Sequence, residues 1–109
     1  MGFQFVADGI EHQSPPTTLP CSLRIDVPAD YTGGASVYVR AVRDGHGTMQ
    51  ASLTKSPNDF TRPREDTQSV PFHQVMKAGE TWYLNVRSAP TVNDNAPIIA
   101  KINVPRIKK

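Results

Sequence analysis

Hydrophobic and polar residues alternate with a period of two in several short stretches of the chain. The clearest stretch is 81–87, Thr-Trp-Tyr-Leu-Asn-Val-Arg, which follows the turn-forming Ala78-Gly79-Glu80. A period of two places successive side chains on opposite faces of a strand, so this pattern predicts half-buried β-strands. Further strands are predicted near residues 21–27, 36–43, 48–54, 69–76 and 97–104, with a short one around Phe3, Phe5 and Val6.

Turn-forming residues separate these strands. The 109 residues include ten prolines and seven glycines, which favours turns over helices. Asp44-Gly45-His46-Gly47 joins the strands at 36–43 and 48–54, and such residues tolerate positive φ, so they predict a hairpin. Residues 55–68 are polar and without periodicity, which predicts a surface loop. About seven short antiparallel strands in this length indicate an all-β sandwich of the immunoglobulin-like or jelly-roll kind.

The chain is long enough for one domain with one hydrophobic core. We expect the β-sandwich to span residues 21–105. Residues 1–20 form an extended, proline-rich N-terminal arm, which is either an edge strand or a tether to a neighbouring molecule. Residues 106–109, Arg-Ile-Lys-Lys, form a basic C-terminal tail.

Charge and cysteine content narrow the function classes. The formal net charge of +2 is too small to require a nucleic-acid partner. The N-terminus lacks a basic region followed by a long apolar stretch, so we expect no signal peptide, no membrane span and synthesis in the cytoplasm. Cys21 is the single cysteine, which excludes an intramolecular disulfide. Its place at the start of an alternating run indicates a small buried hydrophobe rather than a reactive thiol.

No group of residues has the spacing of a catalytic or metal site. His12, His46 and His73 are scattered, and no Gly-x-Ser-x-Gly nucleophile motif occurs. Asn93-Asp94-Asn95 offers oxygen ligands for calcium. One carboxylate is few for a calcium site, however, and Asn and Asp residues also cap turns without a metal. We therefore expect a protein that is not an enzyme and that holds no cofactor or metal.

The best candidate for recognition is a set of aromatic and arginine side chains on the outer faces of strands. If Trp82, Leu84 and Val86 point into the core, the residues between them point outward, and an outward Tyr38 and Arg40 from 36–43 lie on a similar face. The alternative phase of that strand, with Tyr38 inward and Val37 outward, would remove half of this set. Aromatic rings beside arginines stack on sugars or form the centre of protein interfaces, although ordinary cross-strand pairing explains the same pattern. The candidate interaction surface comprises Tyr38, Arg40, Tyr83, Asn85, Arg87, Arg62 and Arg64.

About two thirds of the chain resembles a family of bacterial β-sandwich modules. The matching segments are 23–34, Leu-Arg-Ile-Asp-Val-Pro-Ala-Asp-Tyr-Thr-Gly-Gly, then 36–40, Ser-Val-Tyr-Val-Arg, and 78–86, Ala-Gly-Glu-Thr-Trp-Tyr-Leu-Asn-Val. They are similar to pre-peptidase C-terminal modules, with Asp30 in place of a glycine, Ser36 in place of an aspartate and Trp82-Tyr83 in place of an aromatic pair. The resemblance implies a non-catalytic accessory or binding sandwich.

Two function classes follow. The first is a structural or interaction protein, most concretely a small phage virion component such as a capsid-decoration or tail protein. It would dock on a repeating protein surface and form a homo-oligomer, for example a trimer, that buries the arm or an edge strand. The second is a carbohydrate-binding module or adhesin, which would use Tyr38, Trp82, Tyr83 and the 55–68 loop. Neither class involves nucleic acid or a membrane.

Overall fold

The computed structural model describes residues 2–3, 5–43, 47–90 and 97–107, and these residues form nine β-strands. None of them belongs to a helix long and apolar enough to cross a membrane. The strands are β1 (Gly2–Phe3), β2 (Glu11–Gln13), β3 (Cys21–Asp26), β4 (Val37–Val42), β5 (Met49–Thr54), β6 (Arg64–Asp66), β7 (Ser69–Gln74), β8 (Thr81–Ser88) and β9 (Ile99–Asn103).

Two sheets pack face to face, which confirms the all-β antiparallel sandwich. One is five-stranded, in the order β1-β3-β8-β5-β6, and the other is four-stranded, in the order β2-β9-β4-β7. The pairs β2/β9, β3/β8, β4/β7 and β5/β6 are all antiparallel. Each pair encloses the next along the chain, from the outermost pair β2/β9 to the innermost pair β5/β6. This is the strand order of a jelly roll, to which β1 adds a parallel edge beside β3.

The core lies between the sheets and is built from the inward positions of the predicted alternation. In β4 the alternate residues Val37, Val39 and Ala41 are fully buried. In β8 Leu84 and Val86 are fully buried, while Trp82 is half-buried against the same cluster. The predicted phases of both strands are therefore confirmed. Facing side chains come from β3, β5, β7 and β9, among them Leu23, Ile25, Met49, Val70, Ala100 and Ile102.

The predicted hairpin between strands β4 and β5 is wrong. These strands belong to different sheets, and β4 pairs with β7 and β9 while β5 pairs with β6 and β8. The connection therefore crosses from one sheet to the other; Asp44 to His46 lie outside the described residues. The turn sequence indicated a reversal of the chain, but each strand has an apolar face that needs the opposite sheet, and that burial decides the pairing.

Two short strands were not predicted individually: β6 comes from a predicted loop, and β2 from the arm, for which an edge strand was one of two alternatives. Strand β6, Arg64–Asp66, lies within the predicted 55–68 loop; all three residues are exposed, and β6 forms only because β5 offers a partner. Strand β2 belongs to the N-terminal arm and covers the edge of β9. The arm continues along the sandwich through a bridge between Thr17 and Ile98 and through the buried Leu19. The described part of the arm therefore follows the edge-strand alternative.

Candidate interaction surface

The centre of the outer face of the five-stranded sheet is covered by a loop of the same chain, while Arg24 and Asp26 on β3 stay exposed. Residues 55–63 connect β5 to β6 and fold back over the polar side chains of β3, β5 and β8. Asn85, in the middle of β8, points outward as predicted, but it is completely buried beneath this loop. Its side chain therefore supports the loop and is not part of the accessible surface that was predicted for it.

The side-chain amide of Asn85 both accepts and donates hydrogen bonds. Its Oδ1 accepts hydrogen bonds from the Ser22 hydroxyl at 2.6 Å and from the Asn58 backbone N–H at 2.8 Å. Its Nδ2 donates to the carbonyl oxygens of Ser56 at 3.1 Å and Asp59 at 3.3 Å. Ser52, beside it on β5, is also buried and donates to the Asp59 carbonyl. The amide thus shares with the hydroxyls of Ser22, Ser52 and Thr54 the hydrogen bonding of the loop backbone.

Two of the three predicted arginines on this side of the sandwich, Arg64 and Arg87, contact their own chain. Arg87 donates from Nε to Gln50 Oε1 at 2.8 Å, and its guanidinium lies 4.3 Å from the centroid of the Phe60 ring. Arg64 donates to the carbonyl of Pro71 at 2.9 Å, across the gap between the two sheets. Arg62 is exposed and has no hydrogen bond or ion pair with any described residue.

The outer face of the four-stranded sheet is different, because its side chains remain in contact with solvent. We call Glu11, Tyr38, Arg40, His73 and Lys101 the open face. The Tyr38 ring tilts against His73 with centroids 4.7 Å apart, and the Arg40 guanidinium lies 5.9 Å from the Tyr38 centroid. Arg40 also makes two hydrogen bonds to the Glu11 carboxylate, at 3.0 and 3.2 Å. A row of aromatic, cationic and anionic groups therefore crosses all four strands.

The seven predicted surface residues do not form one surface. Tyr38 and Arg40 lie on β4 in the four-stranded sheet, whereas Tyr83, Asn85 and Arg87 lie on β8 in the other sheet. Their outer faces point in opposite directions, so the expectation of a similar face is wrong. The sequence phase was correct for each strand, but it carries no information about which sheet a strand joins. His73 and Glu11, which the sequence analysis did not select, complete the open face.

The carboxylate of Glu80 binds Lys55, the first residue of the 55–63 loop. Glu80 accepts a hydrogen bond from Lys55 Nζ at 2.5 Å and another from the Lys77 backbone N–H at 2.6 Å. These two donors, the Lys55 ammonium first, lower the pKa of Glu80 from its ordinary value of 4.5 to about 2. Lys55 also lies 5.3 Å from the ring centroid of Trp82.

The lowered pKa of Glu80 predicts a stability contribution that acid removes. A carboxyl group with a lower pKa in the folded state stabilises the fold fully above its unfolded pKa, and the effect disappears as the pH falls from about 4.5 towards about 2. We expect Glu80→Gln to have a lower urea midpoint of unfolding than wild type at pH 6. The difference between the two midpoints should disappear by pH 2. Glu65→Gln is the control, because Glu65 contacts the neutral Gln50 amide. An unchanged difference across this range would contradict the prediction.

The histidines and the cysteine considered in the sequence analysis do not form a cluster among the described residues. In the part of the chain that the structure describes, no group of three His, Cys, Asp or Glu side chains is placed to hold a metal ion. His12 is hydrogen-bonded to Asp8 at 2.8 Å. Cys21 is half-buried, and desolvation raises its pKa to about 11, which disfavours the reactive thiolate. His46 and the Asn93-Asp94-Asn95 calcium candidate lie outside the described residues.

Comparisons of the chain with protein-family models, with curated proteins and with solved structures gave no match. The resemblance to pre-peptidase C-terminal modules therefore stays a prediction from sequence motifs. The function must be argued from the two faces and the ends of the sandwich.

Proposed function

We propose that the chain is a non-enzymatic interaction protein that docks on a repeating protein surface through its open face, as a capsid-decoration or tail component of a phage virion. The observation that carries the proposal is the contrast between the two outer faces. The 55–63 loop covers the centre of one, and the other presents Tyr38 and Arg40 to solvent. Tyrosine and arginine are enriched among the residues that dominate protein interfaces.

The open face is suited to docking because its side chains are already positioned. Arg40 is held by two hydrogen bonds to Glu11, and Lys101 lies 3.9 Å from the same carboxylate. The Tyr38 ring is supported by His73. Side chains fixed before binding lose less conformational entropy when a partner arrives.

The virion assignment rests on further features. The 109 residues contain one cysteine and form a single jelly roll. Jelly rolls occur in viral capsid and lectin domains, which supports the assignment by analogy of fold alone. A homo-oligomer would form by covering an edge strand, such as β7.

The test is co-sedimentation with phage capsids and tails assembled without the chain, combined with light scattering to measure its oligomeric state. We expect Tyr38→Ala and Arg40→Glu to lower the retained amount about tenfold or more, as for central interface residues. Arg24→Glu, an exposed arginine on the opposite sheet, is the matched control and should bind like wild type. A monomer that no particle retains, or an equal loss in the control, would refute the proposal.

The open face also favours a second candidate, a carbohydrate-binding module or adhesin. Tyr38 and His73 offer adjacent rings on which a sugar can stack, and Glu11, Arg40 and Lys101 offer hydrogen-bonding groups beside them. The sugar face expected from the sequence was different, because Tyr83 lies on the other sheet and Trp82 packs against the core. A glycan array should show a signal that Tyr38→Ala removes and Tyr83→Ala leaves unchanged.

A further inference from the structure

A cavity lies at the end of the sandwich where β3 ends and β4 begins. It has a volume of about 420 Å³, which is within the usual range for ligand sites. A smaller cavity of about 210 Å³ adjoins it and shares Tyr31, Thr32 and Ile107. The remaining walls of the larger cavity are Phe5, Ala7, Pro28 and Asp30.

The walls combine an apolar surface with one negative charge. Phe5 meets Tyr31 edge to face, with ring centroids 4.9 Å apart and planes at 81°. Ile107 packs against the same core cluster. Asp30 is exposed and has no ion pair or hydrogen bond through its carboxylate with any residue that the structure describes. The larger cavity therefore has an aromatic and aliphatic interior and an uncompensated carboxylate at its rim.

Tyr31 lines both cavities and has a polar group without a hydrogen-bond partner among the described residues. The residue is 92% buried, since only 8% of its surface is exposed. Its hydroxyl is fully buried and has no hydrogen-bond partner in the described chain. Nearly all buried polar groups in folded proteins are paired, and the exceptions often mark sites that a bound molecule or water completes. This observation is independent of the cavity and its charge.

We infer that the larger cavity binds a lysine or arginine side chain of a partner protein. The aliphatic stem would lie against Phe5, Tyr31 and Ile107, and the cationic end would reach Asp30. Long cationic side chains have this combination of apolar stem and charged end, and aromatic rings attract the cation. Arg106 lines the smaller cavity, so its charge directs a cationic ligand to the Asp30 side. This site lies apart from the open face and does not rest on the proposed function.

The test uses two peptides that differ only in charge, acetyl-Gly-Lys-Gly-amide and acetyl-Gly-norleucine-Gly-amide. They are titrated into the full isotope-labelled chain and followed by NMR. We expect the lysine peptide to give saturable shifts at Phe5, Thr32 and Ile107. Asp30→Asn should weaken its binding about fivefold, as expected for a single exposed ion pair. The norleucine peptide should bind more weakly by a similar factor.

Controls separate the carboxylate from general charge effects. Asp30 has no side-chain partner among the residues that the structure describes, so Asp30→Asn should keep the fold, which the spectrum itself verifies. Asp66→Asn removes an exposed carboxylate at the edge of the five-stranded sheet and should leave peptide binding unchanged. The inference is overturned if the lysine peptide gives no saturable shifts at the cavity. Equal binding of the two peptides, or equal effects of the two variants, also overturns it.

Discussion

Asn85→Ala is expected to lower the free energy of unfolding by about 3 kcal/mol, the size typical of breaking a buried hydrogen-bond network. The substitution removes an amide that is completely buried and joins β3, β5 and the 55–63 loop. Without it, the Asn58 N–H keeps only the Ser22 hydroxyl as a partner, and the Ser56 carbonyl keeps only the Thr54 hydroxyl. Because Asn85 alone bonds the backbone of three loop residues, Ser56, Asn58 and Asp59, we expect the loop to detach before the sheets separate.

Chemical denaturation measures the loss of stability, and two local measurements identify its origin. Hydrogen exchange at the Asn58 amide and tryptic cleavage after Lys55 should both become faster in Asn85→Ala. The fluorescence of Trp82, the single tryptophan, should also change because Lys55 lies beside its ring. Gln13→Ala removes an exposed amide from β2 and serves as the control, with an expected change below about 0.5 kcal/mol. A loss in Asn85→Ala no larger than the control would contradict this role.

Gly33→Ala is expected to destabilise the protein by about 2 kcal/mol, because the new methyl group would overlap the Tyr31 ring. A Cβ at residue 33 would lie 2.5 Å from Cζ and 2.8 Å from Cε1 of Tyr31, and closer still to the hydroxyl oxygen. Tyr31 is buried and meets Phe5 at its edge, so it must shift into one of the neighbouring cavities to relieve the overlap. That shift gives up packing against the core.

The next residue provides a matched control. A Cβ on Gly34 would contact nothing within 4 Å, and its backbone is not in the left-handed region. Gly34→Ala should therefore be neutral or slightly stabilising, by about 0.4–1 kcal/mol, through its effect on the unfolded chain. Thermal and urea unfolding of the two variants measure the difference. Adding Tyr31→Phe to Gly33→Ala should recover part of the loss, since it removes the closest contact. Equal effects at residues 33 and 34 would refute the steric argument.

The period-two pattern was sufficient to predict the long strands. Strands β3, β5 and β8 lie within one or two residues of their predicted bounds, and Val37, Val39 and Ala41 face inward as the alternation requires. In these segments the local preference and the burial in the folded state agree. The sequence-based prediction of an all-β sandwich followed from this agreement.

The pattern failed where pairing depends on distant residues. Strand β6 is exposed on every residue and has no alternation to detect, and the partner of β4 is about 30 residues away in β7. Asn85 interrupts a run of strand-forming residues, and an amide in the middle of a central strand is a signal of a buried polar contact. The cavity beside Tyr31 was not predicted, because it requires Phe5, Asp30 and Ile107 to meet.

The nested pairing of the strands also bears on how the chain folds during synthesis. Strand β9 lies between β2 and β4, so these two strands have no common partner until β9 leaves the ribosome. Similarly, β3 and β5 both pair with β8 and cannot be joined earlier. Such long-range pairing makes folding slow. The nascent chain therefore exposes unpaired strand edges until β8 and β9 have left the ribosome, and it is in this interval that chaperones would be needed to prevent aggregation.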